Sequence, residues 1–147
     1  MRPARVLRSL AGMDLTLSTC FVIVDDPERS LDFYRGALGL ELRNDVGRDR
    51  FRWITVGSPS QPDVAIVLTN YLNGSPADGE AVAALLAKGA LNGVHFRTDD
   101  LDAAFAKVRA AGAEIVQEPT VQPWGTRDFA IRDPSGNLVR IDQPPAL

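Results

Sequence analysis

Apolar residues along this chain fall into short, β-branched runs broken by two stretches of helical spacing, and the order of these elements repeats. Residues 15–24, LTLSTCFVIV, read as a strand that ends at the acidic pair Asp25-Asp26. After Pro27, Leu31, Tyr34 and Leu38 recur at helical spacing, and Gly39 is a fitting stop. Strand-like stretches follow at 40–44, 51–57 and 63–69, the last two separated by the turn-rich GSPSQPD of residues 57–63. The second half begins with a strand at 92–98, NGVHFRT, running into Asp99-Asp100. Leu101, Phe105 and Val108 then form the apolar stripe of a helix over 101–111, stopped by Gly112. Strands at 113–117, 126–132 and 138–142 complete the series, with the strong turn Asp133-Pro134-Ser135-Gly136-Asn137 between the last two.

The two halves share an offset. Asp26 and Asp100, Gly39 and Gly112, and Pro59 and Pro134 are each separated by about 74 positions. The pattern predicts an α+β chain of two tandem β-α-β-β-β modules, the first about 14–69 and the second about 92–143. Residues 70–91 link them, with AVAALLAKGAL supplying a short extra helix. Residues 13–147 are expected to form a single domain, preceded by a disordered or dispensable extension over 1–12 that carries Arg2, Arg5 and Arg8.

Composition narrows the function. At 147 residues the chain is long enough to bury a core without disulfides or a structural metal. A formal net charge of −3 argues against a nucleic-acid partner, which would call for a basic face. No run approaches the roughly 18 apolar residues of a membrane span, so no membrane partner is expected, and the reading is of a cytoplasmic protein. One histidine and one cysteine exclude an internal disulfide and any site of several imidazoles or thiolates within one chain. Cys20, in a strand pattern, reads as a small core residue. The acids Asp26, Glu28, Asp100 and Asp102 read as helix caps and first-turn charges rather than catalytic carboxylates.

The segments DDPERSLDFYRGALGLEL, FRTDDLDAAFAKVRAAGAEI and WGTRDFAIRDPSGNLVRI resemble the vicinal oxygen chelate superfamily, over roughly residues 14–143. That superfamily includes glyoxalase I, extradiol dioxygenases, fosfomycin-resistance enzymes and bleomycin-resistance proteins, and the look here is closest to the bleomycin-resistance-like branch. The resemblance implies βαβββ modules whose curved mixed sheets enclose a cup with helices outside, and a homodimer. It also implies metal ligands on the first and last strand of each module. In this sequence those positions are Thr19, Ala65, Gly93 and Arg140, none of which is a reasonable ligand for a divalent ion. No metal and no cofactor is therefore expected, although a slip of two residues would bring in His95.

Alternation along the strands places Thr19, Phe21, Ile23, Trp53, His95, Arg97, Arg140 and Asp142 on the cup face, with Tyr71 and Trp124 as further candidates. Phe21, Trp53, Tyr71, His95, Arg97, Trp124 and Arg140 suit a small aromatic or acidic molecule, held by stacking and by guanidinium contacts. Each has a plainer role beside that one. Trp53 would serve as packing, the arginines as partners of Asp142 or Asp128, and His95 as a neutral bystander. Three functions stand side by side. The first is metal-free binding or sequestration of a small molecule such as an antibiotic. The second is a metal-independent isomerase, lyase or hydrolase with His95 as base and Arg97 or Arg140 holding an oxyanion. The third is a glyoxalase- or dioxygenase-like metalloenzyme.

Overall fold

A computed structural model describes residues 12–145. The reading of residues 1–12 as an extension falls, apart from Gly12, outside them. The first module runs β1 (Thr19–Ile23), α1 (Pro27–Leu31) continuing as a π-helical turn (Asp32–Ala37), β2 (Glu41–Arg48), β3 (Phe51–Gly57) and β4 (Ala65–Thr69). A linking helix, α2 (Pro76–Ala87), leads to the second module: β5 (Asn92–Arg97), α3 (Leu101–Ala110), β6 (Glu114–Val121), β7 (Arg127–Arg132) and β8 (Leu138–Gln143). Each module folds its strands into one four-stranded sheet, in the orders β1-β4-β3-β2 and β5-β8-β7-β6. The first and last strand of each module are parallel neighbours and the other pairs are antiparallel.

The helices start where the acids are. Asp26 accepts a hydrogen bond from the Arg29 N–H at 3.1 Å and Asp100 from the Ala103 N–H at 3.0 Å, satisfying N–H groups that the first turn leaves open. Both modules leave their helix through a glycine with positive φ, Gly39 at 74° and Gly112 at 85°, a conformation other residues avoid. Alternation then sorts the strands. Val22, Ile54, Val56, Ile66 and Leu68 of the first sheet pack with Leu31, Phe33 and Tyr34. Phe129, Ile131, Val139 and Ile141 of the second join Leu101 and Val108, and all belong to one continuous apolar cluster. Both modules therefore share a core on the helix side, and the opposite face of each sheet is left to line a site.

Cys20 departs from its expected place: it is exposed. It shares the helix side with Val22 by alternation, but β1 is an edge strand, and the helix that follows it packs over β3 and β4 instead.

Candidate functional site

On the helix-free face of the first sheet, Phe21, Val46, Trp53 and Val67 stand among Thr19, Thr55 and Thr69. Phe21 lies beside Val67 across the parallel β1–β4 ladder, and Trp53 lies between Thr69 and Val46. The Phe21 and Trp53 rings meet edge to face at 5.2 Å between centroids, and Phe51 meets Tyr71 the same way at 5.4 Å. Val67 and Thr69 beneath them are buried, while Phe21 remains 57% exposed, Trp53 39% and Tyr71 45%. Toward the β2–β3 hairpin this face opens into a hollow of about 520 Å³ lined by Val46, Phe51, Trp53 and Tyr71 together with the hairpin residues Gly47, Arg48, Asp49 and Arg52. Four aromatic rings in two contacting pairs, facing solvent, are a ready surface for a flat apolar ligand.

The same face of the second sheet is polar and tightly wired. Asp142 accepts from Arg97 Nε at 2.8 Å and lies 3.0 Å from His95 Nε2. Arg140 donates to Asp128 at 3.3 Å, and the amides of Gln117 and Gln122 donate to the other oxygen of Asp128 at 3.1 and 2.8 Å. The hydrogen bond from Arg97 holds the Asp142 carboxyl below the usual carboxylate range, against the opposing pull of burial, with the Arg97 and His95 charges helping. The same bond raises Arg97 further above its already high value. His95 and Arg97 also border a crevice of about 610 Å³ between the modules, across from Ser58, Ser60 and Gln61 of the β3–β4 loop.

The sequence-derived site residues thus form two sets on different sheets. Phe21 and Trp53 touch each other, Tyr71 joins through Phe51, and His95 and Arg97 meet on Asp142. Arg140 sits with Asp128, while Trp124, 72% exposed, stands at the tip of the β6–β7 hairpin. Gln117 and Gln122 escaped the sequence reading, because β6 carries two register shifts against β7 and alternation fails along it.

Strand register relates the four positions that the resemblance singled out. Thr19 and Ala65 are register partners, whereas Arg140 is opposite His95 and not Gly93. An irregularity in β5 between Asn92 and His95 shifts the ladder. It leaves Gly93 against the backbone of Leu138, 3.0 Å from where a Cβ would stand. The register set is therefore a hydroxyl, a methyl, an imidazole and a guanidinium: Thr19, Ala65, His95 and Arg140. This set does not fit a divalent metal, since the one good donor, His95, is next to a permanent cation and its carboxylate neighbour Asp142 is taken by Arg97. Among the described residues no group of three or more His, Cys, Asp or Glu side chains is placed to hold a metal ion.

The model for the Glyoxalase/Bleomycin resistance protein/Dioxygenase superfamily matches residues 16–141. The chain belongs to that superfamily. An uncharacterized protein of Bacillus subtilis (strain 168), YurT, is 31% identical over 123 residues, covering 83% of this chain and 94% of its own. Among solved structures, UcmS2 superposes with a TM-score of 0.80 at 30% identity, over 88% of this chain and 98% of that one. TnmS3, described as an antibiotic binding protein from Streptomyces sp. CB03234, gives a TM-score of 0.72 at 30% identity, over 91% of this chain and the whole of its own. The superfamily's paired sheets account for the two helix-free faces found here, one aromatic and one charged. Among the described residues no helix is long and apolar enough to cross a membrane.

Proposed function

We propose that this superfamily member is a metal-independent binding protein that holds a small, flat aromatic molecule in a cup and so carries or sequesters it. The observation that carries the reading is the ring set of Phe21, Trp53 and Tyr71, all exposed, with half-buried Phe51, beside a hollow of about 520 Å³. The likeness to an antibiotic binding protein at 30% identity supports a ligand of that class. Metal independence is supported by the register set Thr19, Ala65, His95 and Arg140, whose donors do not suit a divalent ion. The hollow is lined by first-sheet residues alone, so the reading includes a homodimer in which the second sheet of the partner copy closes the cup. A cytoplasmic location goes with it, since a chain with a single cysteine depends on no oxidising compartment.

The test is titration of the purified protein with a panel of aromatic metabolites and antibiotics, read by tryptophan fluorescence with and without a chelator. A saturable change that survives chelation and is lost in Trp53→Ala is expected. A flat response across the panel, or binding that needs added metal, would sink the proposal. One observation favours a second reading, a metal-independent isomerase, lyase or hydrolase: His95 is oriented by Asp142 as an enzyme's general base would be, at 3.0 Å. Turnover retained in His95→Ala would exclude it.

A further inference from the structure

The polar wall of the cup is charge-balanced from within. Arg97 places Nε and one Nη on the two oxygens of Asp142, at 2.8 and 3.3 Å. Arg140 gives Nη1 to Asp128 at 3.3 Å and to Gln117 at 3.5 Å. Both carboxylates are buried, Asp142 at 6% exposure and Asp128 at 3%, so each depends on its own arginine for counter-charge. Two guanidinium groups and two carboxylates cancel.

His95 adds no charge when its imidazole is neutral. A neutral imidazole bonded to a carboxylate through Nε2 donates from that nitrogen, and Nδ1 is left as an acceptor. The wall therefore offers hydrogen bonding without net charge: the outer N–H groups of Arg97, whose side chain is 65% exposed, and the free nitrogen of His95. A ligand carboxylate on Arg97 would have to compete with Asp142 and lie beside it as a like charge. A ligand cation meets the same obstacle at the arginines.

We propose that the cup selects uncharged aromatic molecules bearing a carbonyl or hydroxyl at the ring edge and rejects aromatic acids, with Asp142 as the specificity-determining residue. This selectivity rests on the cup binding aromatic molecules at all, the function proposed for it. Of the aromatic or acidic molecules that the sequence suggested, an uncharged aromatic one is thereby favoured, because the two arginines are already engaged.

The experiment compares 2-naphthamide with 2-naphthoate by calorimetry and tryptophan fluorescence at pH 8. In the unaltered protein naphthamide is expected to bind at least about tenfold more tightly. In Asp142→Asn, which frees Arg97, the order is expected to reverse. Equal or tighter binding of naphthoate by the unaltered protein overturns the inference, and so does an unreversed order in Asp142→Asn that melts cooperatively. Arg97→Gln changes an exposed side chain and gives an independent arm. It leaves Asp142 without its guanidinium and is expected to take 2-naphthylmethylammonium at least about fivefold more tightly than the unaltered protein, and no gain counts against the inference. Binding with the acid preferred defeats the neutral-ligand inference alone. Silence toward both naphthyl probes defeats the aromatic reading, and this inference with it.

Discussion

Tyr34 is fully buried, and its hydroxyl donates to Asp133 at 2.8 Å, across from one module to the other. The other oxygen of Asp133 accepts three backbone N–H groups, from Ser135, Gly136 and Asn137, at 2.9 to 3.0 Å, and the Asn137 amide joins Tyr34 at 2.9 Å. This carboxylate is solvated entirely by protein. Burial first, then the charge and hydrogen bond of Asp133, push the Tyr34 phenol well above its usual range, so it stays a donor. Tyr34→Phe removes that donor and leaves a buried charged oxygen with one fewer partner. A loss of about 1–3 kcal/mol in urea unfolding is expected; a variant as stable as the parent would mean that water replaces the hydroxyl. Sequence spacing marked Tyr34 as apolar-stripe core and Asp133 as a turn residue, each correct locally. Their partnership spans 99 positions and no periodicity encodes it.

Elements were more legible where a pattern is dense than where an end is polar. β3 occupies the expected 51–57, whereas β2 and β6 run on to Arg48 and Val121, past the expected 44 and 117. Their outer halves are largely solvent-facing and both strands carry register shifts, so hydrophobic alternation fades before the hydrogen bonding does. The linking helix begins at Pro76, earlier than the apolar run suggested. The signal was present: Ser75 precedes a proline at the first helical position, and the Asp78 carboxylate accepts from the Ser75 N–H at 2.7 Å. The π turn after α1 left no trace in the spacing. It inserts one residue, with the Leu38 N–H reaching back to the Phe33 carbonyl at 3.1 Å, and turns Phe33, Tyr34 and Ala37 inward together. The β3–β4 loop shows how a turn-rich segment is held in one shape by a single side chain. Arg43 donates to the carbonyls of Val64 at 2.6 Å, Ser58 at 2.9 Å and Gln61 at 3.2 Å. The guanidinium lies over Gly57, where a Cβ would collide with it. Lysine cannot span several acceptors with a planar fork. Arg43→Lys is therefore expected to speed amide exchange across residues 57–64 at least about tenfold, with other strands little changed, and to cost about 1–2 kcal/mol. Unchanged exchange there would show that the loop holds itself.

At the scale of the molecule, the duplication read from the sequence is present as two sheets of matching order, yet the copies have diverged in what they show to solvent. The first presents rings and the second a neutralised ion network. Alternation found most of these residues, and the sequence reading already weighed Asp142 and Asp128 as partners for the arginines. What it could not supply was the separation of the two sets. That separation gives the protein a testable genetics. If a second copy closes the cup, as proposed, damage to the rings and damage to the ion network belong to different walls, and two crippled chains are expected to repair each other. A mixture of Trp53→Ala chains, short of a ring, and Asp142→Ala chains, stripped of the preference for 2-naphthamide, is expected to yield mixed dimers with one intact, amide-preferring cup, opposite one that carries both defects. Refolding the two together and measuring stoichiometry against either parent reads this directly. If each chain builds its cup alone, co-refolding recovers nothing.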